Sequence, residues 1–209
     1  MARRELVEAS DDLARRSPHF AAIVKTAGPC ELRRGRLRRT HFAELARAVC
    51  YQQLAGSAAR AIHGRFEGLF DGDPTPERVL TASVDTLRGV GLSASKVASI
   101  RDLAEHVVAG TVALDRIARR CDARVVEELT LVRGIGRWTA EMFLMFQLGR
   151  LDVWPVDDFG VRKGYARLYG LAELPTPRAL QPLGDEFRPH RSVAAWYCWR
   201  AADDQFGAG

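Results

Sequence analysis

Two glycines and a pair of aspartates are the residues here whose types and spacing most suggest chemistry. Leu131-Val-Arg-Gly134-Ile-Gly136-Arg-Trp138-Thr-Ala140 sets Gly134 and Gly136 between two helical patterns. Glycine tolerates positive φ and close backbone approach, so helix, G-x-G and helix make a tight hairpin. The second helix starts at that turn with its first N–H groups unpaired and its positive dipole end facing out, which makes an anion site. A nucleic-acid phosphate fits it and would be held without sequence preference. About twenty residues on, Asp157 and Asp158 stand in Val156-Asp-Asp-Phe-Gly-Val-Arg162. By type alone, an aspartate ahead of Phe-Gly-Val-Arg is a good helix N-cap. The aromatic run Trp196-Tyr-Cys-Trp199 reads by type as core packing. Metal chemistry is poorly supplied. Cys30, Cys50, Cys121 and Cys198 are 20, 71 and 77 residues apart, without the clustered thiolates of a zinc or iron–sulfur site. His19, His41, His63, His106 and His190 form no close ligand pair.

Helices must position these groups, because no segment alternates at period two and apolar residues recur at helical spacing almost throughout. The fold class is all-α. Helices are expected over 5–16, over 41–70 with a break near Ala55-Gly56, and over 76–80, 83–88, 93–109 and 122–132. Four more are expected over 137–148, 158–169, 178–187 and 191–203. Leu87-Arg-Gly-Val-Gly-Leu and Val132-Arg-Gly-Ile-Gly-Arg share R-G-[VI]-G, a short internal echo without a longer period.

The chain has 209 residues, enough for one domain or two small lobes sharing a core. Apolar residues make up 47% and charged residues 27%, which excludes a disordered or fibrous chain. No uncharged apolar run approaches the roughly 20 residues of a membrane span. The start, Met1-Ala-Arg-Arg-Glu, turns acidic at once, unlike a signal peptide. A cytoplasmic protein with free thiols is expected. Net charge is 31 − 26 = +5, and only Lys25, Lys96 and Lys163 are lysines. Arginine forks suit phosphates, although an arginine-biased codon usage would give the same count. The densest basic run, Arg33 to Arg39, reads first as a solvated linker face and second as a phosphate contact.

Three blocks resemble the helix–hairpin–helix superfamily of DNA glycosylases, and within it the AlkA-like, DNA-3-methyladenine glycosylase II branch. They are Cys50-Tyr-Gln-Gln-Leu-Ala-Gly-Ser-Ala-Ala59, the stretch from Arg133 through Trp154-Pro-Val-Asp-Asp158 to Gly164, and Phe187-Arg-Pro-His-Arg-Ser192 through Trp199. They occur in the family's order over roughly residues 40–203.

The resemblance implies a two-lobed helical protein without the N-terminal β domain of longer AlkA proteins. One lobe would span 40–150, and 1–39 with 151–209 would form the other, with the active site between them. It implies a DNA glycosylase of base excision repair that flips out alkylated bases, 3-methyladenine and 7-methylguanine among them, and acts on double-stranded DNA as a monomer at the nucleoid. By motif register Asp158 is the catalytic carboxylate, with Asp157 the runner-up. Trp138 and Trp199 are the pocket aromatics. Met142 stands where Escherichia-type members have tyrosine, and Tyr51 or Phe159 would compensate. Gln53, with Leu54 beside it, is the intercalating residue. Gly134, Gly136 and Thr139 offer N–H groups to a phosphate. The carbonyls of Thr130, Val132 and Ile135 would hold a Na+ or K+ ion, and neither another cofactor nor an iron–sulfur cluster is implied. Bifunctional relatives carry a lysine where Trp138 stands, which implies hydrolysis without strand cleavage. Two other readings stay open at this level: a helix–hairpin–helix DNA-binding protein without catalysis, and a glycosylase for uracil or mismatched bases.

Overall fold

The computed structural model describes residues 3–32, 39–54 and 56–203. Most of the basic run, and Ala55 at the expected helix break, lie outside the described residues. Every regular element among the described residues is helical, as the sequence implies. In order these are α1 (Arg3–Arg16), α2 (Pro18–Ala27), α3 (His41–Tyr51), α4 (Gly56–Gly68), α5 (Pro76–Thr81), α6 (Val84–Gly89), α7 (Ala94–Val108), α8 (Asp122–Thr130) and α9 (Arg137–Met142). A π-helical stretch, Phe143–Leu148, continues α9. Then come α10 (Phe159–Leu168), α11 (Pro177–Leu183) and α12 (Arg191–Ala202). No helix among the described residues is long and apolar enough to cross a membrane.

The starts are written in hydroxyls. Thr40, Thr75, Ser83, Ser93 and Thr176 each accept a bond from the backbone N–H three residues on. Such a cap contributes about 1 kcal/mol. The stretch expected over 41–70 with a break near Ala55-Gly56 is two helices, α3 ending at Tyr51 and α4 starting at Gly56, and Gln53 between them takes φ +54°. Two expectations change. α2 was not anticipated; Pro18 at its first turn, where a missing N–H costs nothing, is its start signal. The helix expected over 137–148 changes from α to π register at Phe143.

The chain forms two compact units, Met1–Arg36 with Leu144–Gly209, and Leu37–Phe143. The boundaries expected after 39 and 150 thus fall after 36 and 143. Leu144–Leu148 goes with the C-terminal helices because Phe146 stacks on Trp199 of α12.

In the first unit α12 is apolar almost all round, with Val193, Ala194, Ala195, Tyr197 and Cys198 fully buried. That pattern marks a helix enclosed by others. Phe20 of α2 packs on Phe187 and Tyr197, and the Tyr197 hydroxyl donates to Gly28 O at 2.9 Å. α10 meets α12 where a Cβ on Gly164 would fall on the Cys198 carbonyl, so only glycine permits the approach. In the second unit Phe42, Leu45, Ala46 and Val49 of α3 and Val97, Ile100, Leu103 and Ala104 of α7 are buried at helical spacing. Phe66 closes this core from α4.

Candidate active site

In the first unit Asp158 caps α10: its Oδ1 accepts the Val161 N–H at 2.8 Å. The same oxygen accepts the Trp199 indole N–H, also at 2.8 Å. Two donors from two helices therefore fix the orientation of this carboxylate. Trp199 lies 41 residues away, at the start of the last turn of α12. Its ring stacks on Phe146, with centroids 5.7 Å apart and planes at 17°. Phe146 is 43% exposed and Phe159, next to Asp158, 65%. An exposed aromatic surface thus begins one indole's width from the carboxylate. Asp157, by contrast, is exposed, and Asp158 is the residue at the cap.

The neighbours of this pair are structural. Arg162 Nε donates to Pro175 O at 2.7 Å, which ties α10 to the segment before α11. The Cys198 thiol is pushed up by burial first and by the Asp158 charge second, so it stays protonated and inert. Trp196 meets Tyr197 edge-on and carries the Arg200 guanidinium over its ring. Trp154 is buried and donates to Leu180 O at 3.0 Å. Of the tryptophans in this unit, Trp199 is the one that reaches a carboxylate by a hydrogen bond.

In the second unit the α8–α9 turn is braced from α7 and from the turn after α3. Gly134 takes φ +77°, a conformation that favours glycine. A Cβ there would lie 2.5 Å from Ser99 Oγ of α7. The Arg133 N–H donates to Asp102 Oδ2 of α7 at 2.7 Å, and Gln52 Nε2 donates to the Gly134 carbonyl at 2.9 Å. Ile135 N donates to Val132 O at 3.1 Å. Gly136 is the N-cap of α9 and brings no side chain to accept from its first turn. The anion site read from the glycines therefore has an uncapped helix start.

Trp138 lies in that first turn, 45% exposed; Met142, one turn on, is partly buried, and Thr139 is buried. Gln53 and Leu54 occupy the turn after α3; Gln53 is exposed and Leu54 is 39% exposed. Gln52, between Tyr51 and Gln53, links that turn to the hairpin. Tyr51 is half-buried, with the Arg47 guanidinium 4.5 Å from its ring centre and His63 at its edge. Lys96 Nζ donates to Cys50 O at 2.7 Å, and burial lowers the ammonium's pKa.

The sequence reading thus placed Asp158 and Trp199 in the first unit, where the structure brings them into contact. It placed Trp138, Met142, Tyr51, Gln53, Leu54, Gly134, Gly136 and Thr139 in the second. It missed Phe146, Gly160, Gln52, Ser99 and Asp102. The π register that turns Phe146 toward Trp199 has no residue pattern. Gly160 was visible only as a glycine in a helix, a position that ordinarily weakens the helix.

Residues 46–189 match the HhH-GPD superfamily base excision DNA repair protein family. A DNA-3-methyladenine glycosylase 1 of Schizosaccharomyces pombe is 35% identical over 200 residues, covering 94% of this chain and 88% of that protein. The structure of the same yeast's 3-methyladenine DNA glycosylase (Mag1) in complex with abasic DNA superposes with a TM-score of 0.81 at 35% identity, over 92% of this chain and 95% of that one. A DNA-3-methyladenine glycosidase from Bacillus halodurans superposes with a TM-score of 0.79 at 36% identity, over 90% and 91% of the two chains.

Proposed function

Because this chain belongs to the HhH-GPD superfamily of base excision DNA repair proteins, we propose that it is a monofunctional DNA glycosylase releasing alkylated bases, of the 3-methyladenine and 7-methylguanine type, from duplex DNA. It acts as a monomer, in the cytoplasm at the nucleoid. The observation that carries the reading is the Asp158–Trp199 pair: a carboxylate oriented by two donors, beside a stacked and exposed aromatic surface.

The damaged base must leave the stack to be cut. Gln53 or Leu54 fills the space it vacates. The base already carries positive charge, and aromatic faces attract a desolvated cation by up to about 2 kcal/mol. Trp199 and Phe146 supply such faces in the first unit, and Trp138, with Met142 and Tyr51, supplies them in the second. The bond from C1′ to the base breaks with both electrons going to the base, which leaves neutral. Positive charge develops on the sugar, and the Asp158 carboxylate stabilises it. Water adds to C1′ and gives up a proton, leaving an abasic site. Trp138, where a lysine would attack C1′, cannot form a Schiff base, so the strand stays intact. The N–H groups of Gly134, Gly136 and Thr139 hold a phosphate. The carbonyls of Thr130, Val132 and Ile135 are suited to a monovalent cation against that phosphate. Val132 O fits the role, since it spends one of its two lone pairs on Ile135 N.

The test is base release from methylated duplex DNA by wild type and Asp158→Asn, with strand cleavage scored separately. Loss of the charge partner should slow release at least ~100-fold without loss of DNA binding. Unchanged release in the variant would remove Asp158 from the chemistry. DNA binding without release by the wild type would favour a non-catalytic repair protein, and release from uracil-containing DNA alone would change the substrate.

A further inference from the structure

We infer that Gly160 is a positioning residue for Asp158: its missing side chain lets the Trp199 indole reach the carboxylate. The inference rests on the catalytic reading of Asp158 above. Gly160 lies in the first turn of α10 and is not among the glycines with positive φ. Its backbone would accept any residue, and alanine is the better helix former. Space decides instead. A Cβ on Gly160 would lie 2.8 Å from Trp199 Cδ1, 3.3 Å from its Nε1 and 3.2 Å from Asp158 Oδ1. The first distance is closer than real Cβ contacts come, so something must shift.

The surroundings dictate what shifts. Asp158 is pinned by the Val161 N–H at the cap. α12 cannot retreat as a body without opening the contact between Gly164 and the Cys198 carbonyl one turn along α10. Phe146 stacks against the indole. The soft coordinate is rotation of Trp199 within its stack, which pulls Nε1 away from Oδ1. An alanine at 160 would then leave Asp158 as a helix cap but release the hold that aims it. Gly164 is the contrasting case, since it permits backbone contact between two helices and touches neither Asp158 nor the indole in that role.

The experiment measures single-turnover base release from duplex DNA carrying N7-methylguanine, for Gly160→Ala, Trp199→Phe and the double variant, with thermal melting of each. Phenylalanine keeps a ring but cannot donate. A lost hydrogen bond to a charged group should slow each single variant on the order of tenfold. The double variant should be no slower than the slower single, because both remove the same bond. Gly160→Ala should melt within about 2 °C of wild type. Wild-type rates in Gly160→Ala would overturn the inference, as would single losses that multiply to roughly 100-fold in the double variant. A wild-type rate in Trp199→Phe would overturn it even if Gly160→Ala failed to fold. A wild type that releases no base would overturn the glycosylase reading and this inference with it, before any variant is compared.

Discussion

Two turns in the second unit carry the same four-residue pattern and do different things with it. Arg88-Gly-Val-Gly91 joins α6 to α7, and Arg133-Gly-Ile-Gly136 joins α8 to α9. In the first, the second glycine takes the left-handed conformation, Gly91 at φ +98°; in the second it is the first glycine, Gly134 at φ +77°. α7 then starts after Ser93, whose hydroxyl accepts from the Lys96 N–H at 3.3 Å. α9 starts straight after Gly136, which has no side chain to spend. The braces differ too. Arg65 of α4 donates to Val90 O at 2.9 Å in the first turn, while Gln52 and Asp102 hold the second. A G-x-G between helices therefore does not by itself make an anion site. The residue at the N-cap decides whether the helix start is satisfied from within or left for a ligand.

The largest expected effect separates the turns through their glycines. Gly134→Ala combines a left-handed φ with a Cβ 2.5 Å from Ser99 Oγ. It should weaken binding to abasic-site DNA at least about tenfold, with the slope of log affinity against log salt falling by about one. Gly91→Ala has the same kind of backbone strain, about 1–3 kcal/mol, and should cost stability alone. Anisotropy titrations across a salt series would show this, and equal losses of DNA affinity in both variants would break the comparison. Next is a transplant. Gly136→Ser places a hydroxyl where α9 has none and should raise the melting temperature by about 1 °C while weakening DNA binding several-fold. Tighter binding would mean that the uncapped start is not the phosphate site. The converse change, Ser93→Ala, should lower melting by about 2–4 °C and leave DNA affinity unchanged.

Much of this was legible before any coordinates. Apolar residues at helical spacing marked the all-α fold, the paired glycines marked the hairpin, and the position of Asp158 before Phe-Gly-Val-Arg marked its cap. Two kinds of information were not. Contacts across long separations, such as Trp199 on Asp158 or Gln52 on Gly134, have no local signature because the side chains meet only after helices pack. Register changes are equally silent: residues 137–148 read as one helix, and nothing in Phe-Leu-Met-Phe announces a π turn that re-aims Phe146. The paired R-G-[VI]-G turns show the same limit, since the letters match while the N-cap falls on Ser93, two residues past the first motif, and on Gly136 within the second.

The smallest expected effect concerns α4, the helix that braces the α6–α7 turn. It carries His63, buried against Glu67 at 3.3 Å. Burial lowers its pKa, outweighing the pull of Glu67. The unfolded chain then takes up a proton at a pH where the folded one does not, so stability falls as pH drops through about 6.5. Replacing His63 with Gln should flatten the melting temperature between about pH 7 and pH 5.5. An unchanged slope would assign the acid sensitivity to another group.

The split of one unit across both ends of the chain sets an order of assembly during synthesis. Leu37–Phe143 is continuous and can close as soon as it leaves the ribosome, whereas α1 and α2 must wait for α12. Gly28 meets the Tyr197 hydroxyl only after 169 further residues, roughly 10–30 seconds of translation. The α8–α9 turn is complete in that interval and the Asp158–Trp199 pair is not, so under the proposed function a nascent chain would hold DNA before it could cut a base from it.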